Sequence, residues 1–171
     1  MRLPLEVVDV VRDAIGPELP LIYRFSQWKV DDFKEIKFRS SSELAPWVDG
    51  LRNHGVDVIH VSTRDAVEPA FPDDPEHPEW SLAAWTQHLS GLPAIAVGKV
   101  SVTLPMDRAY GREKDVITDP TPALDLIARG EVEMLAVGRA LIANPDWVPL
   151  VRAGRWQELR PFDKELLKTL E

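Results

Sequence analysis

Cysteine is absent from this chain of 171 residues. Disulfides, thiolate metal ligands and a cysteine nucleophile are therefore excluded, and a reducing compartment is compatible. No apolar run is long enough to span a bilayer. The first residues, Met1 to Arg12, interleave charges with apolar residues and lack the unbroken core of a signal peptide. The reading is a cytoplasmic protein with no membrane partner. Basic residues are also in short supply, with 20 Lys and Arg against 28 Asp and Glu and a formal charge of −8. Nucleic acid and anionic membrane both need a basic face, so the predicted partner is a small-molecule substrate or another protein.

Familiar motifs are missing too. There is no Walker glycine loop, no Gly-x-Ser-x-Gly elbow and no Gly-x-Gly-x-x-Gly fingerprint. The four histidines, His54, His60, His77 and His88, lack metal-ligand spacing, so no metal site is predicted. Three of them read as surface groups, and His60 reads as a core or edge residue of a strand. Asp73, Asp74, Glu76 and Glu79 form an acidic loop that reads as solvated. No low-complexity tract occurs.

What is present is an alternation. Short apolar runs stop at an arginine, a lysine or a glycine at Leu21 to Arg24, Val56 to Arg64, Ala94 to Lys99 and Met134 to Arg139. A helix-patterned segment precedes each one. Alternating helix and short buried strand predicts parallel βα units, which gather functional groups at one edge of the sheet. The hydrophobic content of 44% suits one domain with a real core.

In chain order, Pro4 opens a helix with Leu5, Val8, Val11 and Ile15 on one face, stopped by Gly16-Pro17. Leu21 to Phe25 is a strand, followed by a charged loop up to Arg39. Ser40 and Glu43 form a capping box for a helix that places Leu44, Val48 and Leu51 together and ends at Gly55. Val56 to Val61 is the second strand. The loop after it carries Pro69, Pro72, Pro75 and Pro78, and both a ligand-covering segment and a surface insertion fit it. A helix from about Trp80 presents Leu82, Trp85 and Leu89, and Pro93 to Lys99 is the third strand. The spacing predicts loop over 101–118, then a helix from Asp119-Pro120 burying Leu124 and Ile127. After the fourth strand, Asn144-Pro145 begins a helix through Val151, and Phe162-Asp163 begins a last one with Leu166, Leu167 and Leu170.

Candidate binding residues follow from the strand ends. Gly98-Lys99 and Gly138-Arg139 end successive parallel strands, a paired nest of backbone donors with flanking cations. In closed barrels of eight parallel strands the loops after the last two strands commonly hold a phosphate. Phosphate binding and plain turns both fit these glycines on residue type alone. Arg24 stands inside an apolar run, where it needs a carboxylate partner or a polar ligand.

Taken together, Leu21-Ile-Tyr-Arg-Phe-Ser26, Val58-Ile-His-Val-Ser62 and Ala136-Val-Gly-Arg-Ala-Leu-Ile-Ala-Asn-Pro-Asp-Trp147 resemble the second half of the Old Yellow Enzyme family of FMN-dependent oxidoreductases. The resemblance covers nearly the whole chain. It implies an α/β fold, the C-terminal half of a (β/α)8 TIM barrel, with residues 1–171 as a single partial-barrel domain. It further implies FMN as cofactor, NAD(P)H as reductant and an activated alkene as hydride acceptor. By the same resemblance Arg24 faces the flavin pyrimidine ring, while Gly98, Lys99, Gly138 and Arg139 surround the phosphate. Many family members carry a small or neutral residue where this chain has Lys99.

The family's first four strands, its His-His or His-Asn pair and its tyrosine proton donor have no counterpart. Tyr23 and Tyr110 match neither position, so no catalytic residue is assigned. A half barrel leaves two strand edges and the inner sheet face uncovered. The expectation is therefore association with a missing N-terminal half-barrel or with a second copy, and a chain inactive on its own is the alternative reading.

Overall fold

The computed structural model describes residues 2–29, 32, 35–109, 111 and 113–169. Its sheet holds four parallel strands, β1 (Ile22–Ser26), β2 (Val58–Ser62), β3 (Ala94–Val97) and β4 (Met134–Leu135), in the spatial order β1-β2-β3-β4. Helices α1 (Arg2–Ile15), α2 (Ser41–Asn53), α3 (Leu82–Ser90) and α5 (Thr121–Ala128) each precede one strand. Parallel crossovers that are right-handed and always step the same way place every helix on one face. That is the winding of a barrel, and the chain is an α/β partial TIM barrel of four βα units.

Register divides the sheet cleanly. Tyr23, Ile59 and Ala94 align across the strands, as do Phe25, Val61, Ala96 and Leu135. Ile59, Val61 and Ala94 are fully buried and Phe25 and Ala96 nearly so; Phe25, Ile59, Val61 and Ala96 share one core with Leu44, Val48 and Leu51 of α2 and Leu82 and Trp85 of α3. The alternate residues form three rows on the other face: Ile22 with Val58, then Arg24 with His60, Ile95 and Met134, then Ser26 with Ser62 and Val97. That face is open. Ile22 is 52% exposed and Met134 is 41% exposed.

The caps explain where helices start. Ser40 Oγ accepts from the Glu43 N–H at 3.2 Å, as the capping box requires. The return bond lands one residue early, on the Arg39 N–H at 2.8 Å. Ser81 caps α3 in the same way, with its Oγ accepting from Ala84 N–H at 3.2 Å. The proline loop between β2 and α3 is packed down, with Ala66 and Phe71 buried and Pro69 bridged to Ser81.

Several expectations need correction. The stretch 101–118 contains a one-turn helix, α4 (Met106–Ala109), and a bridge between Val102 and Ile117. In α5 Ala123 and Leu126 are buried and Leu124 packs half-buried against the core, while Ile127 is 41% exposed. Val11 likewise lies at the margin of α1, 36% exposed. The fourth strand is only two residues long. Asn144 does not begin a helix: it ends α6 (Arg139–Ala143), and α7 (Trp147–Arg152) follows. The buried Asn144 amide donates to Ala140 O and Arg160 O, both at 2.9 Å, so it ties the C-terminal segment to α6. The last predicted helix is a 3-10 turn over Lys164–Thr169. Tyr110 and Leu170 lie outside the described residues.

Candidate functional site: the C-terminal edge of the sheet

Four of the five predicted binding residues, Gly98, Lys99, Gly138 and Arg139, follow the ends of β3 and β4. Arg24 lies apart, on the open face of β1. Its Nη2 donates to Ser62 Oγ on β2 at 3.1 Å. An arginine on this face meets solvent and a hydroxyl rather than the dry core, which removes the need for a carboxylate partner. Beside it in the same row, His60 buries Nε2 with no hydrogen-bond partner. Burial, with the nearby Arg24 guanidinium as a second cause, holds the His60 imidazole below the ordinary histidine range.

Gly98 is sterically obligatory. With φ at +155°, a Cβ there would stand 2.8 Å from both Ala66 N and Asp65 N, and the Ala66 N–H donates to Gly98 O at 3.0 Å. The ends of β2 and β3 are thereby clamped backbone to backbone. The next residues carry strain: Lys99 and Ser101 hold φ values of +47° and +63°. Each is secured by a side-chain bond. Lys99 Nζ meets Asp65 Oδ2 at 3.2 Å, and Ser101 Oγ accepts from the buried Trp147 Nε1–H at 2.9 Å. A cleft of about 250 Å3 opens beside this turn, lined among others by Asp65, Lys99, Ser101 and Asp119.

Gly138 differs from Gly98. It precedes α6 with φ −99°, and nothing lies within 4 Å of where its Cβ would be. The space above it is open. Arg139 is the opposite, with a side chain only 12% exposed. Its Nη1 donates to Asp115 Oδ2 at 2.8 Å, its Nη2 donates to Leu104 O, and its guanidinium lies 5.9 Å from the Phe162 ring centroid. Asp115, the partner of Arg139, is the site-edge residue that sequence reasoning missed. It sits in a stretch with no clear period, and only its buried surroundings reveal it.

Asp115 Oδ1 also accepts from Thr103 N–H at 2.8 Å and Leu104 N–H at 3.0 Å. One carboxylate thus fastens the 99–118 loop to itself and to the start of α6. Among the other candidates, His54 pairs with Asp9 at 2.6 Å and His77 stacks on Trp80 at 3.5 Å between ring centroids. Among the described residues no group of His, Asp and Glu is arranged to hold a metal ion.

The donor set fits a phosphate monoester. Two cations and the open backbone at Gly138 stand at the ends of neighbouring strands, and Arg24 stands on the adjoining inner face. Among the described residues no helix is long and apolar enough to cross a membrane.

Comparison with known proteins agrees with the fold. The chain is 31% identical over 168 residues to an NADH oxidase of Thermoanaerobacter brockii, a match spanning 94% of this chain and 22% of that protein. It is 24% identical to a bilirubin reductase of Mediterraneibacter gnavus, spanning 94% of this chain and 23% of that one. The fold is similar to that of morphinone reductase solved with tetrahydroNAD, with a TM-score of 0.63 at 22% identity, over 96% of this chain and 36% of the other. The chain thus spans between about a fifth and a third of the length of these relatives. Residues 1–158 match the model of one family, and the chain belongs to it: the NADH:flavin oxidoreductase / NADH oxidase family, of Old Yellow Enzyme type.

Proposed function

We propose that this chain forms the flavin-holding edge of an FMN-dependent ene-reductase, with NAD(P)H as reductant and an activated alkene as substrate. The observation that carries the reading is the placement of Lys99 and Arg139 at the ends of neighbouring strands, with Arg24 on the inner face beside them. When bound, FMN supplies hydride acceptance from the nicotinamide and hydride delivery to the alkene β-carbon.

The chain's own residues bind and orient. Lys99, Arg139 and the backbone at Gly98 and Gly138 hold the phosphate. Arg24, kept cationic and steadied by Ser62 Oγ, faces the pyrimidine edge and favours negative charge there. His60 stays neutral beside it, so Arg24 is not opposed by a second cation on its row. The proton donor is assigned to the part of the barrel that these residues do not build.

The open sheet face supports a second element of the proposal, a partner. Ile22, 52% exposed, and Met134, 41% exposed, border edges of β1 and β4 that carry no neighbouring strand among the described residues. A complementary half-barrel closing both edges is the partner that this geometry favours, and a second copy of the chain is the other. A chain acting only through such an association, with no activity alone, is the rival function. The setting we propose is cytoplasmic.

FMN titration of the purified chain, read by flavin fluorescence and paired with size-exclusion chromatography, tests the reading. Saturable binding by a defined species supports the flavin edge. No binding by a well-folded chain overturns the reading of these residues as a flavin-holding edge and favours the rival, a chain acting only through association.

A further inference from the structure

The two cations at the phosphate edge are held by two carboxylates of unequal strength. Lys99 meets Asp65 at 3.2 Å, with side chains 31% and 29% exposed. Arg139 meets Asp115 at 2.8 Å, with side chains 12% and 2% exposed. A solvent-reached ion pair contributes little and exchanges readily, whereas a buried one does not open without leaving a charge stranded. Both carboxylates are built into their loops. Asp65 Oδ1 accepts from the Val67 N–H at 3.2 Å, and Asp115 takes the loop amides already described.

We infer that Asp65 is an internal competitor for the anion at Lys99, and that Asp115 is a positioning residue that presents Arg139 to the same anion. The inference rests on the flavin-phosphate reading above. An arriving phosphate monoester displaces Asp65 from Lys99, so the lysine exchanges one anion for another. Arg139 keeps Asp115 and meets the phosphate through N–H groups that neither Asp115 nor Leu104 uses, since a guanidinium has five. One cation moves and the other is fixed.

The two loops therefore have opposite effects, although the chemistry of each pair is the same. Removing the charge of Asp65 frees Lys99 for the ligand. Removing the charge of Asp115 releases Arg139 from its orientation and loosens the 99–118 loop. A purely structural role for both carboxylates would make both substitutions weaken binding or leave it alone.

The test is FMN titration of the full chain and of Asp65→Asn and Asp115→Asn, with riboflavin, which lacks the phosphate, as control ligand. Asp65→Asn keeps an acceptor for Val67 and is expected to bind FMN about two- to fivefold tighter. Asp115→Asn is expected to bind FMN about tenfold or more weakly. Neither is expected to change riboflavin affinity by more than about twofold. Weaker or unchanged FMN binding by Asp65→Asn overturns the inference while leaving the flavin reading in place, as does equal loss of riboflavin and FMN. If Asp115→Asn fails to fold, Asp65→Asn alone decides. Absence of FMN binding in the parent and in Asp65→Asn removes the flavin-phosphate reading, and the inference with it.

Discussion

Asp115 and Arg139, 24 residues apart in sequence, meet at 2.8 Å with almost no exposure to solvent. The pair joins the loop after β3 to the helix after β4. It makes the arginine that ends the strand-like run both a candidate ligand for phosphate and a structural tie.

Arg139→Ala is consequently expected to do more than weaken an anion site. It leaves the Asp115 carboxylate buried without its cation, which destabilises by about 3–5 kcal/mol. Urea unfolding followed by circular dichroism measures this. A loss below about 1 kcal/mol would show that solvent already reaches Asp115.

The two phosphate-edge glycines are expected to differ. Gly98→Ala drives a Cβ into the Asp65 and Ala66 backbone at 2.8 Å and imposes a left-handed φ on alanine, which costs about 2–4 kcal/mol. Gly138→Ala meets no atom within 4 Å, so its cost is expected to be smaller by at least about 1 kcal/mol. Equal midpoints in the same denaturation series would contradict the clamp between β2 and β3.

His60 sets a pH dependence whose sign follows from its environment. Burial, then Arg24, lowers its pKa in the folded chain, while the unfolded value stays near about 6.5. As pH falls below that value the unfolded chain takes up a proton that the folded chain refuses, so stability is lost on acidification and is fully present above it. The expected result is a drop in stability as pH falls through about 6.5 that His60→Gln removes. An NMR titration giving His60 an ordinary pKa would remove this pH dependence, and a raised one would reverse its sign.

Much of the architecture is legible in the residues. Ser40 with Glu43, and the periodic Leu44, Val48 and Leu51, mark α2 because capping and a 3.6-residue apolar period are local properties. The alternation of four helix patterns with four short apolar runs marks parallel βα units for the same reason. Arg24 inside one apolar run, and Gly98, Lys99, Gly138 and Arg139 at the ends of two others, could be listed in advance, since such breaks in an apolar run need no tertiary contact to be noticed.

Sequence and structure part where a local pattern is ambiguous. Asn144-Pro145 carries a helix-start signal, yet Asn144 closes α6 because its amide has buried carbonyls of Ala140 and Arg160 to satisfy. Ile127 has the right periodicity for the core and faces solvent, because α5 packs through Ala123 and Leu126 instead.

By itself, then, the sequence determined the class of the elements, their order and the edge to which the cations go, because apolar period, capping and turn chemistry act over a few residues. Only the tertiary structure decided what those cations touch. Asp65 and Asp115 lie in loops without periodicity, 34 and 24 residues from their partners. Long-range pairing of charges depends on how loops close over a sheet, and on how much water that closure leaves beside each pair.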